Sequence, residues 1–301
     1  MPRSFFAGVA LSCLSALPLA AEPAVYPSPF DAVAAMIEAL EARDKTAVLT
    51  VFGPESEDFI YTGNPAEDTM HGLTLLELWR QGFSLVPLDG GGFELTMGED
   101  GWPFPIPLER VDNGWAFDVA AGRIEVEARD IGLNELEVIA LMEAYVDVQA
   151  EFRLTEQDGD GVMEFARRII ATPEHRDGLY WPAPGSPLGE LFAAAAADGF
   201  NDGDEDRPPI PYLGYIYRIL TEQGPDAPGG AFDYLVNDNM VGGHALLAVP
   251  DVYGETGVYS FMVAENGIVY QADLGEDTTE IAEGIMAYNP GPDWSVVDVT
   301  N

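Results

Sequence analysis

The chain of 301 residues carries 52 Asp and Glu against 13 Lys and Arg, a formal net charge of −39. A surface so acidic repels DNA, RNA and anionic lipid, which excludes a nucleic-acid-binding role. With 47% hydrophobic and 11% aromatic residues there is apolar material for one large or two ordinary cores, and general disorder is excluded.

The first residues predict a secretory signal peptide over residues 1–21. Arg3 supplies the positive region. Residues 5–19 form an apolar stretch shorter than the roughly 20 residues of a membrane span. Pro18-Leu19-Ala20-Ala21 reads as the cleavage region, which makes Glu22 the first residue of the exported chain. The expected location is periplasmic or secreted. Cys13, the single cysteine, lies inside the cleaved stretch. The exported chain is therefore expected to form no disulfide and to fold on its apolar core alone.

The next elements are short. Ser28 and Asp31 read as a helix cap, and Phe30, Val33, Met36, Ile37 and Leu40 follow helical spacing. Further helices are expected over residues 46–52 and 73–83, then strands over 93–97, 106–111 and 115–119. Asp112-Asn113-Gly114 separates the last two strands, with Asn113-Gly114 expected to hold the positive φ angles of a tight turn. This gives a small N-terminal α+β domain, residues 22–130.

A second domain, residues 131–301, is expected to open on a long helix. Asn134 and Glu137 give a cap signal, and the helix is expected over residues 133–154. Val138, Leu141, Met142, Tyr145, Val148 and Phe152 form one apolar face. A helix is expected over residues 162–170. Another follows Pro187, capped by Ser186 and carrying Leu188, Leu191 and Phe192, and an acidic loop covers 200–211. The period then changes to two in "YLGYIYRIL", "GGHALLAVP", "GVYSFMVAE" and "GIVYQADLG", which read as strands. Glu265-Asn266-Gly267 is the turn between the last two, and a final helix is expected over 278–288. The fold class expected for the whole is α+β.

One stretch invites a metal. In "TEQDGDGVMEFA", residues 155–166, Glu156, Asp158 and Asp160 alternate and Gly161 permits a sharp turn. Asp158, Asp160 and Glu164 are the candidate calcium ligands, with the Val162 carbonyl beside them. Arg167 stands where a complete helix–loop–helix calcium site has a bidentate glutamate. The competing reading is a turn whose acids sit near the positive start of the next helix. Calcium is the one cofactor this leaves open.

Catalytic patterns are sparse. The three histidines, His71, His175 and His244, are far apart and lack zinc spacing. His175 has the most mixed surroundings, beside Arg176 and Asp177 and near Tyr180 and Trp181. Arg176 and Asp177 are expected to form an ion pair that fixes this loop. His244 reads as a packed strand residue. There is no Gly-x-Ser-x-Gly elbow, and Gly90–Gly92 lacks the spacing and lysine of a phosphate loop. No residue is assigned a catalytic role. The aromatic, proline-rich "WPFPIP" and "GLYWP" are expected to fill a core or a domain interface.

Longer segments carry a family resemblance. They include "FGPESEDFIYTGNP", "WPFPIPLERVDNGWAFDVAAGRIE", "RDIGLNELEVIALMEAYVDVQAEF", "QDGDGVMEFARRI", "TPEHRDGLYWP" and the run from "GYIYRIL" to "VYQADLG". In order and over nearly the whole exported chain, they resemble the secreted bacterial family known as domain of unknown function 2950. The resemblance implies an exported protein in two parts with no assigned activity. It also implies that an aromatic commonly stands at the position of His244. A second resemblance links the long helix, the "DGDG" loop, the "GYIYRIL" strand and the "FMVAENGIVY" hairpin to the globular part of type II secretion pseudopilins. It concerns the fold and not fibre assembly, because this helix is amphipathic and follows another domain. The order of elements in the first half is similar to the cone-shaped folds related to nuclear transport factor two.

The resulting expectation is a non-catalytic envelope protein that binds or scaffolds a protein or other envelope component. The alternatives are a hydrolase using carboxylates and His175 between the two domains, and a calcium-stabilised module.

Overall fold

The structure, a computed structural model, describes residues 22–157, 159, 161–171, 176–181, 186 and 211–298. The expected signal peptide, Asp158, Asp160, His175, the helix expected after Pro187 and most of the acidic loop lie outside the described residues. Helices and antiparallel sheets share the chain, which makes the fold α+β. It divides into two compact units, Met1–Val126 and Glu127–Asn301.

In the first unit, helix starts are set by caps. The Ser28 hydroxyl accepts from Asp31 N at 3.2 Å, and Pro29 supplies a preset φ at the start of α1 (Pro29–Ala42). Asp44 caps α2 (Lys45–Phe52) by accepting from Thr46 N and Ala47 N. A single turn, α3 (Glu57–Ile60), leads to α4 (Pro65–Gln81), capped by Asn64. The α4 helix begins earlier than its apolar spacing suggests, because the Asn64-Pro65 pair starts it. Val33, Met36 and Ile37 are buried as expected, whereas Phe30 is 59% exposed and meets Phe83 edge to face.

The sheet that follows has the order β1 (Phe83–Pro87), β2 (Phe93–Met97), β4 (Leu108–Val111) and β5 (Gly114–Phe117), with β3 (Trp102–Pro103) paired to β2. The β4–β5 turn differs from expectation. Val111 pairs with Gly114, so Asp112 and Asn113 form the turn and neither has a positive φ. Of the expected pair only Gly114 has a positive φ, 156°, and it also serves a close approach: a Cβ there would lie 2.2 Å from the Tyr26 carbonyl oxygen. The helices and sheet share one core, in which the Phe52 ring packs 4.8 Å from that of Phe117.

Helix α5 (Val119–Phe152) runs for 34 residues and contains the division between the units. It starts well before the expected residue 133. Asp118 caps it by accepting from Ala121 N at 2.9 Å. Asn134, the expected cap residue, sits inside the helix and donates to the Thr256 carbonyl at 3.1 Å. Its neighbour Glu135 accepts from Val258 N and Tyr259 N, each at 2.9 Å. A cap signal in the sequence thus became a tertiary clasp, because the helix-forming residues upstream of it leave the helix no reason to stop.

The second unit is built on a five-stranded antiparallel sheet of order β16 (Ser295–Val296), β15 (Tyr270–Asp273), β14 (Tyr259–Ala264), β13 (Ala245–Pro250) and β8 (Tyr215–Leu220). Every residue of β13 is buried. Alternate side chains explain this: Leu246 and Ala248 join a core with Val138, Met142 and Tyr145 of α5, while Ala245, Leu247 and Val249 join another with Tyr234, Ala282 and Tyr288. The ribbons β9 (Glu222–Gln223) with β10 (Phe232–Asp233) and β11 (Leu235–Val236) with β12 (Asn239–Met240) are two-stranded. The last helix, α6 (Thr278–Glu283), is shorter than expected. Arg218 on β8 donates to the carbonyls of Ala282 and Ile285 around its C-terminal end.

The helix expected over 162–170 does not form. Residues 162–166 are irregular, and β6 (Arg168–Ile170) pairs in parallel with β7 (Gly178–Tyr180). The backbone groups of this stretch find tertiary partners instead. Gln149, fully buried on α5, accepts from Ala166 N and donates to Ala166 O, both at 2.9 Å. Phe165 N donates to the Met240 carbonyl at 2.9 Å, and the Glu164 carboxylate accepts from Met240 N at 2.6 Å. With those donors and acceptors taken, a helical ladder has nothing to gain.

Candidate functional site

Just ahead of β13 the backbone passes through Gly242 and Gly243 and presents His244. The imidazole is 1% exposed. Its faces are held by aromatic rings: Tyr145 stands edge-on at 5.2 Å and Phe165 lies at 4.6 Å. Neither ring nitrogen has a hydrogen-bond partner among the described residues. A buried polar group in that state costs on the order of 1–3 kcal/mol, so the fold retains it against its own stability. His244 is one of the residues bordering a cavity of about 340 Å³, with Gln223, Tyr234, Glu265, Asn266 and Tyr288.

The cavity walls are fixed by their own contacts. Gln223 donates to the carbonyls of Pro228 and Gly230, and its side-chain oxygen accepts from the Tyr234 hydroxyl at 3.0 Å. That orients the Tyr234 ring. Tyr288 is buried, and its ring meets Tyr270 edge to face. No partner meets the Tyr288 hydroxyl in good geometry, although the Asn266 side chain is close enough to work against the effect of burial. Burial raises the Tyr288 hydroxyl to about 12 and the Tyr234 hydroxyl further, with the negative charge of Glu265 adding to the latter. Both phenols are neutral hydrogen-bonding groups at physiological pH.

His244 is lowered from 6.5 to about 4, first by burial and then by the positive charge of Arg153. It is a neutral imidazole near pH 7, with one acceptor and one donor nitrogen. The folded-state value lies below the unfolded one, so folding excludes a proton. The corresponding stability is present above pH 6.5 and is lost as pH falls toward 4. About 2 kcal/mol has gone by pH 5, from the linkage relation at about 1.4 kcal/mol per pH unit. Denaturant melts of the wild type and His244→Phe at pH 7.5 and pH 5 should show this loss in the wild type alone.

The other expected site residues are placed as follows. The Glu164 carboxylate holds Met240 N, as above, and the Glu156 carboxylate accepts from Gly159 N and Gly161 N. Among the described residues no three Asp, Glu, His or Cys side chains come together as a metal-holding group. The other two calcium candidates, Asp158 and Asp160, lie outside the described residues. His71 is exposed on α4. The expected Arg176–Asp177 pair does not form. Asp177 pairs with Arg168 at 3.3 Å, and Arg176 lies over the Trp181 ring, 5.2 Å from its centroid. Ser186, expected as a helix cap, donates to the Leu179 carbonyl at 3.1 Å and accepts from Trp181 N at 3.2 Å.

A second cavity of about 500 Å³ in the same unit is walled by Leu141, Tyr145, Ile169, Leu179, Tyr217 and Leu246, with Glu137 as its carboxylate. Its lining is almost wholly apolar and offers little to orient a ligand. In sequence, its lining residues Leu179 and Tyr212 flank residues 182–185 and 187–210, which are outside the described set.

Over residues 23–297 the sequence matches a family model described as "Protein of unknown function (DUF2950)". The chain belongs to the DUF2950 family. No curated protein and no solved structure matches this DUF2950 chain, so the likenesses to pseudopilins and to nuclear transport factor two folds have no match behind them. Among its described residues no helix is long and apolar enough to cross a membrane.

Proposed function

We propose that this protein is an exported, non-catalytic binding protein of the bacterial envelope, and that the His244 cavity holds its ligand. The observation that carries the reading is the buried imidazole with both nitrogens unpartnered, on a residue that borders a cavity large enough for a small molecule. A ligand that reached those nitrogens on a movement of the His244 ring would recover a free energy that the unliganded fold forgoes. Binding fits better than catalysis because the imidazole is a weak base, lowered to about 4. Among the described residues, neither nitrogen has the hydrogen-bonded orienting group of a general base. Export is supported by Arg3 and the apolar stretch over residues 5–19. Mass spectrometry of the envelope fraction should find a chain beginning at Glu22.

Tyr288→Phe tests the site. It removes a buried hydroxyl that lacks a good partner, so the variant should melt unchanged or be stabilised by up to about 1 kcal/mol. Ligands found by thermal shift on the wild type should lose affinity on this variant. A site kept for packing alone would give the stability result with ligand binding intact.

A further inference from the structure

We propose that the open edge of the first unit's sheet, strand β1, takes up an extended segment of a partner protein with alternating apolar and basic residues, continuing the antiparallel pairing. This interaction is separate from the His244 cavity and does not depend on it. The sheet ends differently on its two sides. At β5 the segment ahead of α1 closes the edge, where Tyr26 and Trp115 exchange two backbone hydrogen bonds of 2.8 Å. At the other side no strand among the described residues lies beyond β1. Gly98 N donates to the Gly82 carbonyl and Leu88 N to the Gly92 carbonyl, both at 3.0 Å. An antiparallel ladder alternates, so Ser84 and Val86 bond toward β2 while the N–H and C=O of Phe83 and Leu85 face outward. Exposed edges are usually guarded by charged side chains. The five residues of β1 carry none, in a chain with 22% charged residues.

The two faces of this edge set the chemistry of its occupant. Residues paired across strands share a face, so Phe83 and Leu85 lie on the same side as the fully buried Met97 and Leu95. On that side the Phe83 ring stacks 4.0 Å from Trp79 and meets Phe30 at 6.3 Å, yet Phe83 stays 39% exposed. Apolar side chains on an added strand would bury this aromatic surface. On the other face Val86, 42% exposed, is paired with Glu94. A Lys or Arg there would lay its stem over Val86 and bring its charge toward Glu94. Beyond the strand, the exposed Leu88 and Asp89 again set an apolar residue beside an acid. The net charge of −39 draws a basic segment in and opposes a second copy of the chain at so short an edge.

The probe is a blocked eight-residue peptide alternating valine and lysine. Its valines would stand opposite Phe83 and Leu85, so N-methylation of the valines removes the donors that face β1 and keeps the charge. Titrated into the isotope-labelled protein at pH 7, the plain peptide should slow amide exchange at Phe83 and Leu85. It should bind at least tenfold more tightly than the methylated peptide, because main-chain bonds carry strand addition. A peptide alternating valine and glutamate should also bind at least tenfold more weakly. Val86→Lys places a charge on the exposed edge and should weaken the plain peptide about tenfold with melting unchanged. Equal binding of the plain and methylated peptides, or protection at other amides only, would reduce the effect to charge attraction and overturn the proposal. Equal binding of the glutamate peptide would overturn the basic preference. Protection of Phe83 and Leu85 that rises with protein concentration alone would give the edge to a second copy and overturn a partner segment.

Discussion

Gln149→Met should lower the stability of the second unit by about 4 kcal/mol. The side chains are close in shape, so the change removes hydrogen bonds and little else. Gln149 is fully buried and makes three of them: to the Tyr145 hydroxyl at 3.0 Å and to both backbone groups of Ala166. Tyr145 keeps its bond to the Ala245 carbonyl. The Ala166 amide and carbonyl are left without a partner, each costing about 1–3 kcal/mol when buried, with the lost bonds added. In a unit of this size the expected fall in melting temperature is about 10 °C. A melt within a degree or two of the wild type would mean that water reaches Ala166 and that the clasp does not hold the 162–166 stretch. The same opening should reach Phe165, whose ring covers His244, so His244 should titrate closer to 6.5 in the variant.

The next largest effect is expected at Gly178. Gly178→Ala places a Cβ 2.3 Å from Ala171 N and 2.6 Å from Ile170 C. Both are backbone atoms in or beside β6, so no flexible side chain can yield. The parallel register of Arg168 with Gly178 and of Ile170 with Tyr180 depends on that approach. The expected cost is about 3 kcal/mol, at the upper end for an overpacked site. Circular dichroism melts together with hydrogen exchange at Ala171 N, which donates to the Tyr180 carbonyl at 2.8 Å, would measure it. Retained protection of that amide would show that the two strands stay paired and that the site absorbs the added Cβ.

Much of the local structure was legible because it depends on neighbours in sequence. The Ser28 cap, strand β2 and the apolar face of α5 are written in spacing and cap chemistry. Two of the failures share one cause. Asn134 carries a cap signal yet clasps Thr256, and Glu164 follows a turn yet binds Met240 rather than opening a helix. In each case a partner far along the chain outbid the local preference, and spacing holds no record of it. The cavity was equally hidden. Its walls come from Gln223, Tyr234, His244, Glu265 and Tyr288, which follow no shared period. The signal that pointed there was a histidine set between two glycines and an apolar strand, and by itself that reads as packing.

The sequence alone determined the family, the α+β class and the acidic surface, because these follow from composition and from order along the chain. Tertiary structure decided which polar groups are satisfied and which are not. It buried His244 between Tyr145 and Phe165 without a partner while giving Gln149 three bonds. Burial and hydrogen bonding depend on groups brought together across the chain, and that assembly turned an ordinary histidine into the candidate site.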